Sequence, residues 1–95
     1  MELETEGSTL TIIDNIKSVA HFQEIKSALD KMKTTNSSIS IKIPTSLSIT
    51  SSVIGYLMKL IHKDGIRLSI AVGDERLVKL LSDLGLSSEF SVRKV

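Results

Sequence analysis

Alternating apolar and polar positions mark three segments of the chain as β-structure. In ELETEGSTLTII, Leu3, Leu10 and Ile12 alternate with polar neighbours, and the EGS between them supplies turn residues, so this opening predicts a β-hairpin. SISIKI at 38–43 alternates strictly between serine or lysine and isoleucine, which is typical of a strand covered on one face only. IRLSIAV at 66–72 repeats the alternation and predicts a further strand.

Three other segments carry apolar residues at spacings of three and four, which gathers them on one face of a helix. Ser18 and Asp74 are the predicted N-caps of the first and third helices, and Ser52 is a candidate N-cap of the second. Gly65 and Gly85 are the predicted ends of the second and third helices. The predicted apolar stripes are Val19, Phe22, Ile25, Leu29 and Met32; then Val53, Ile54, Tyr56, Leu57, Leu60 and Ile61; then Leu77, Leu80, Leu81 and Leu84.

The order of these elements is β-β-α-β-α-β-α, in a single domain covering residues 1–95. Helices that intervene between successive strands favour parallel pairing through right-handed crossovers. We therefore expect an α/β fold with an N-terminal hairpin, a mixed four- to five-stranded sheet and helices mainly on one face. The tail LSSEFSVRKV is ambiguous, but Leu86 and Phe90 are expected to pack on the core.

Composition excludes several classes of function. Twelve basic and 11 acidic residues give a net charge of +1 with no basic run, and 3% aromatic residues leave little for base stacking, so no nucleic-acid partner is expected. The absence of cysteine excludes disulfides and thiolate metal sites. We expect no metal and no cofactor. MELETEGS does not resemble a signal peptide, and no apolar stretch approaches the roughly 20 residues that span a bilayer, so a cytoplasmic protein without membrane insertion is expected.

The segment from Leu47 to Phe90 resembles the STAS family, the small domains of anti-sigma factor antagonists, stressosome proteins and sulfate-transporter tails. The family motif, roughly Asp-Ser-Ser-Gly-Leu-Gly at the start of the second helix, is similar to TSSVIG at 50–55. KDGIRLSIAV and LLSDLGLSSEF are similar to the family's later turn, strand and third-helix end. The order and spacing of these segments, and no single motif, carry the resemblance. The fold that it implies agrees with the predicted one.

The chain departs from the family pattern at four positions. Thr50 stands where the family has Asp, and Val53 stands where it has Gly. Lys17 and Lys42 align with two further positions at which phosphorylatable members often carry Asp. The resemblance therefore implies a serine whose usual acidic surroundings have become neutral or basic, which puts phosphorylation by a conventional partner kinase in question.

The resemblance implies a bacterial regulatory protein that controls transcription by partner switching and binds an anti-sigma factor or a serine kinase. Ser52 is the candidate phosphoacceptor and Ser51 the less favoured one. Lys17 and Lys42 are the candidate contacts for a phosphate or an acidic partner, unless they are ordinary solvated lysines. The implied partner-binding residues are Thr50, Ser51, Ser52, Val53, Tyr56 and Lys59.

Alternatives stay open at the sequence level. Ser52 could serve only as an N-cap. The chain could be a constitutive STAS subunit of a lipid-transport ABC complex, bound to the ATPase and not phosphorylated, or a module for a small ligand, for which no residue argues. An enzyme is not expected. His62 follows Ser52 by ten residues, about 15 Å along a helix, too far to act as its base, and His21 and His62 lack further metal ligands nearby.

Overall fold

Five strands form one sheet in chain order, in a computed structural model that describes all 95 residues. The hairpin strands β1 and β2 pair antiparallel, and β2, β3, β4 and β5 pair parallel. The predicted mixed α/β sheet is therefore confirmed. The elements are β1 Glu2–Glu6, β2 Thr9–Ile13, α1 Val19–Met32, β3 Ser38–Ile43, α2 Ser51–His62, β4 Arg67–Val72, α3 Glu75–Asp83 and β5 Val92–Lys94.

One face of the sheet carries all the core packing. Ile39, Ile41 and Ile43 of β3 are each 1% exposed, whereas Ser38 and Lys42, which point to the other face, are exposed. Buried side chains from all three helices join those isoleucines in a single cluster. The helices thus lie on one face, as predicted, and this arrangement leaves the opposite face of the sheet uncovered. No helix combines the length and the apolar character that crossing a membrane requires.

Both predicted N-caps are confirmed, and the candidate N-cap Ser52 is wrong. Ser18 accepts a hydrogen bond from the His21 amide, and Asp74 accepts one from the Arg76 amide. For α2 the cap is Thr50, whose extended backbone places its hydroxyl 3.3 Å from the Val53 amide nitrogen. Ser52 already lies in the first helical turn. Thr50, Ser51 and Ser52 follow one another, and each has a hydroxyl that can cap a helix. The position of the preceding loop in the folded chain decides which of them does so.

Three residues of the apolar stripes are exposed, and three others, Phe22, Ile54 and Ile61, are only partly buried against the core. Val19 is 74% exposed, because the first residue of α1 borders a surface cleft and does not face the sheet. On α3 only Leu77 and Leu81 are buried. Leu80 flanks that face and is 37% exposed, and Leu84, 52% exposed, is the C-cap beyond the last turn.

The C-terminal tail completes the sheet. Phe90 is fully buried and Leu86 packs against the core, as predicted. Beyond them the three-residue strand β5 pairs with β4, with Val92 opposite Ile70. This strand was not predicted, since three residues are too few for a period of two to be recognised.

Two glycines provide a matched pair for testing the fold. At Gly73, which follows β4, an added Cβ would overlap the Pro44 carbonyl oxygen, whereas nothing lies within 4 Å of a Cβ added at Gly55 on the exposed side of α2. We expect Gly73→Ala to destabilise the chain by about 1–3 kcal/mol, because rigid backbone must move. Gly55→Ala should stabilise it by about 0.5–1 kcal/mol, because alanine favours the helix. Urea unfolding measures the change in the free energy of unfolding for each variant. A Gly73→Ala variant more stable than the wild type would contradict the close contact between Gly73 and Pro44.

Candidate functional site

A buried serine hydroxyl joins the loop before α1 to the loop before α2. Ser46 is fully buried, and its Oγ accepts hydrogen bonds from the backbone amides of Ile16 at 3.1 Å and Ser48 at 3.3 Å. The same oxygen donates to the Ser48 carbonyl at 2.8 Å. Ser48 Oγ in turn donates to the Ile16 carbonyl at 2.8 Å. Both polar backbone groups of Ile16, itself fully buried, are thereby satisfied by the other loop.

Two further side chains extend this connection. Thr45 Oγ1 accepts from the Asp14 amide at 3.3 Å, and Asn15 Oδ1 accepts from the Leu47 amide at 3.1 Å. Asp14 has a φ of 76°, a left-handed conformation that Asp tolerates better than most residues. The pairing therefore runs along both loops, and it fixes where each helix begins.

The two helix starts lie side by side at the carboxyl edge of β2 and β3. Between them is a shallow cleft of about 150 Å³ lined by Lys17, Ser18, Val19, Phe22, Thr50 and Ser52. Neither α1 nor α2 carries an acidic residue in its first turn. Because a helix N-terminus bears partial positive charge, the cleft combines two such ends with the Lys17 ammonium group.

Ser51 and Ser52 are exposed, and neither hydroxyl forms a hydrogen bond within the chain. Thr50 supplies the cap that either serine would otherwise provide. Ser52 lines the cleft together with Lys17, so the structure places these two predicted residues together. An exposed, unbonded hydroxyl at a helix start can accept a phosphate without disturbing local structure.

Three other predicted site residues do not belong to this surface. Val53 is 2% exposed and Tyr56 is 6% exposed, so both are core residues and neither can present its side chain to a partner. Lys42 is exposed, but it lies between Thr11 and Ala71 on the sheet face that the helices do not cover. The sheet separates Lys42 from Ser52, and the expected contact between them is wrong. Lys59 is exposed on α2, as expected.

Tyr56 joins α1 to α2 through its phenol, which donates a hydrogen bond to Asp30. Burial, and then this bond, raise the pKa of Tyr56 far above its ordinary value. The bond from Tyr56, followed by the one from Lys26, lowers the pKa of Asp30. The Lys26 and Lys59 ammonium nitrogens lie 5.5 and 5.6 Å from the centre of the Tyr56 ring, within the range of cation–π attraction. These contacts give Tyr56 a structural role that its place in the apolar stripe did not reveal.

The rest of the surface differs from metal sites and from ordinary small-molecule pockets in its lining residues. No cluster of His, Asp or Glu could hold a metal ion, and His62 pairs with Glu89 at the opposite end of α2 from Ser52. Strand order follows chain order, so the sheet has no switch point of the kind that opens a ligand crevice in doubly wound folds. The largest hollow, about 550 Å³, lies along the solvent side of α1 and has no apolar lining residue, unlike ordinary small-molecule pockets.

We expect Ser46→Ala to destabilise the chain by about 1–3 kcal/mol, because it leaves the buried amide of Ile16 and the part-buried amide of Ser48 without their acceptor. Ser51→Ala is the matched control, since its exposed hydroxyl bonds nothing, and it should change stability by less than about 0.5 kcal/mol. Urea unfolding compares the two. Equal stabilities would show that the junction between the loops does not depend on Ser46.

The Tyr56–Asp30 bond should be visible in the pH dependence of stability. Because the folded-state pKa of Asp30 lies below its ordinary 3.8, its contribution is present above that value and is lost as the pH falls through the folded pKa. Asp30→Asn should therefore lower stability at neutral pH and flatten the loss on acidification below about pH 5. Tyr56→Phe should cost about 1–2 kcal/mol at pH 7 and much less in a chain that also carries Asp30→Ala, because alanine offers the phenol no acceptor. Additive effects of the two substitutions would contradict this coupling.

Comparison of the chain with models of known protein families, with curated proteins and with solved structures finds no match. The resemblance to the STAS family therefore remains a hypothesis that rests on the residues at 47–90, and the observed sheet order with helices on one face is compatible with it.

Proposed function

We propose that this chain is a regulatory protein-interaction domain of the anti-sigma factor antagonist type, switched by phosphorylation of Ser52. Its docking surface comprises residues at the two helix starts and along the exposed side of α2. The exposed ones are Lys17, Val19, Ser51, Ser52, Gly55 and, in the last turn of α2, Lys59, and the half-buried Thr50 lies among them. The partner is an anti-sigma factor with serine kinase activity, acting in the cytoplasm, and this chain itself performs no chemistry.

The observation that carries the proposal is the exposed Ser52 hydroxyl without a hydrogen-bond partner. A capping serine would be occupied, and its modification would weaken the helix. Here Thr50 caps α2 through the Val53 amide, so Ser52 is free to be modified. Ser52 also lines the same cleft as Lys17, and the first turn of α2 contains no acidic residue.

Two neighbouring residues lack a structural reason for being where they are. Val19 leaves 74% of its surface in water next to the cleft, although a polar residue would cost nothing there. Gly55 lies in the middle of α2 with open space around it, although glycine disfavours a helix by about 1 kcal/mol relative to alanine. The exposed side chain of Val19 and the exposed backbone of α2 at Gly55 each suit a partner that packs closely against the helices.

Charge gives the switch its mechanism. A phosphate on Ser52 would add between about −1.5 and −2 charges at the positive ends of two helices, where Lys17 stabilises it within the domain. A docked partner would have to remove the water around that phosphate, and removing water from so much charge is unfavourable. The unmodified form therefore binds the anti-sigma factor and releases the sigma factor by competition, and the phosphorylated form dissociates.

Val53 and Thr50 favour a second candidate, a constitutive STAS subunit of a lipid-transport ABC complex. Val53 replaces a glycine of the family motif with a buried core side chain, and Thr50 replaces its acid with a cap. In that case the same surface binds the ATPase permanently and Ser52 remains unmodified.

Ser52→Ala and Ser52→Asp separate these candidates. Since Thr50 is the cap, both variants should keep the wild-type stability within about 0.5 kcal/mol, whereas Thr50→Ala should lose about 1 kcal/mol. Under the switch, Ser52→Ala binds the kinase-type anti-sigma factor of the same genome, and Ser52→Asp binds it at least roughly tenfold more weakly. Mass spectrometry after incubation with that kinase and ATP should find phosphate on wild type and on Ser51→Ala, and none on Ser52→Ala.

Isothermal titration of the purified proteins supplies the affinities. Equal binding by Ser52→Asp and wild type would remove the switch. Stable co-purification with an ABC ATPase, unchanged by Ser52→Asp, would establish the second candidate instead. Phosphate found on Ser51 in Ser52→Ala would move the switch by one residue.

A further inference from the structure

The uncovered face of the sheet, called here the open face, is mainly polar, with Ile13 and Ala71 as the apolar residues of its strands. Alternate residues of each strand point to it, opposite to the side that carries the helices. One row across the sheet runs Glu4, Thr11, Lys42, Ala71 and Arg93, each paired with the next. The remaining charged and hydroxyl residues of this face are Glu2, Glu6, Thr9, Ser38, Ser40, Arg67 and Ser69.

Charge on the open face is divided by strand. All its acidic residues, Glu2, Glu4 and Glu6, belong to the edge strand β1. All its basic residues belong to β3, β4 and β5, and they are Lys42, Arg67 and Arg93. These six side chains are exposed, and none of them takes part in an ion pair within the chain.

The helical side of the molecule differs. There Lys26 pairs with Asp30, Lys33 with Asp64, and Lys79 with Asp83, at 2.9 to 3.1 Å. The charges at the two edges of the open face cannot pair in this way, because β1 and β5 lie four strand spacings apart, about 19 Å. Lys42 lies closer to β1 and lines a hollow with Glu4 and Glu6, but it forms no ion pair with either. The open face thus carries three negative charges on β1 and three positive charges on β3, β4 and β5. A surface is complementary to it when its own positive charge faces β1 and its negative charge faces β5.

We propose that the open face binds a second copy of this chain, forming a two-fold dimer with the two sheets stacked face to face. A two-fold axis parallel to the strands places β1 of one protomer over β5 of the other, so each acidic edge meets a basic one. Because the operation preserves position along the strands, Glu4 faces the Arg93 of the second copy in the same row. A two-fold axis across the strands would instead stack β1 on β1, and the like charges would repel.

The dimensions allow this arrangement. Stacked sheets lie about 10 Å apart, a gap that glutamate and arginine side chains can close together from opposite sides. Thr11, Ser40, Ser69 and Ala71 keep the middle of the face low. Five strands of about five residues cover roughly 400 Å² per protomer, or about 800 Å² in total, below the roughly 1,200 Å² of a standard stable interface. The dimer is therefore weak, held by charge and sensitive to salt.

Lys42 supplies a distinguishing feature. It lies on the central strand β3, which the two-fold axis places against its own copy, so the two ammonium groups repel each other. Removing this positive charge should strengthen the dimer, whereas removing the positive charge of Arg93 should weaken it. An acidic partner of another kind would lose affinity in both cases. The docking surface around Ser52 lies on the other layer and stays accessible, so this inference does not depend on the proposed function.

Charge reversal tests the dimer with purified protein and no other component. Sedimentation equilibrium in about 20 mM salt should show self-association in the micromolar to millimolar range that disappears near 0.5 M salt. Glu4→Arg and Arg93→Glu, each alone, should weaken it at least roughly tenfold, because each creates a repulsive pair twice. Mixed in equal amounts, the two variants should form a heterodimer, since in the row of positions 4 and 93 one protomer is then positive at both ends and the other is negative at both ends.

Glu24→Arg, a reversal at an exposed and unpaired residue of the helical layer, is the control and should leave the association unchanged. Lys42→Thr should tighten it. A chain that stays monomeric to millimolar concentration at low salt overturns the proposal. So does self-association that either single reversal leaves intact, or a mixture of the two variants that fails to associate. Circular dichroism of each variant confirms that the fold is retained.

Discussion

The site depends on one hydroxyl group. Ser46 Oγ, with no access to solvent, holds the amide of Ile16 across the gap between two loops that are 30 residues apart in sequence. A buried amide without an acceptor costs about 1–3 kcal/mol, so the two loops keep their register as a unit. Because each loop ends in the N-cap of a helix, this register also sets the distance between Lys17 and Ser52. The buried hydroxyl of Ser46, which is not itself part of the cleft, therefore fixes how the residues of the cleft are placed relative to one another.

The periodicity of the sequence was sufficient for every element except β5, because the helices and the sheet have one core between them. Strict alternation at 38–43 predicted both the strand and its single covered face. The same alternation excluded the placement of Lys42 beside Ser52. With Ile41 and Ile43 facing the helices, the residue between them must face away from the start of α2. The alignment to the family motif placed Lys42 beside Ser52, but alternation along its own strand directs Lys42 to the opposite face of the sheet.

Other features needed the tertiary structure. Nothing local distinguishes Thr50, Ser51 and Ser52 as caps, since all three precede the same apolar stripe, and the clamp at Ser46 decides among them. Serine at position 46 resembles any loop serine until Ile16 is placed beside it. The phenol of Tyr56 likewise finds Asp30 only because α1 packs on α2. Each of these residues satisfies a polar group far away in sequence, and such pairs leave no periodic signal.

Most charged side chains of the helical layer form ion pairs within the chain, whereas those of the open face do not, and the difference has a physical reason. Charges on neighbouring helices or on successive turns of one helix come within a few ångströms of each other, so they pair within the chain. Charges on a sheet are held at fixed strand spacings, and a gradient from β1 to β5 stays unpaired. The helical layer therefore has most of its charge internally satisfied and presents a hydroxyl and an apolar side chain at the cleft. The sheet layer presents charged side chains among short hydroxyl side chains. A partner that requires close packing suits the first surface, and a weak association governed by charge suits the second, so the two can act at the same time without competing for the same residues.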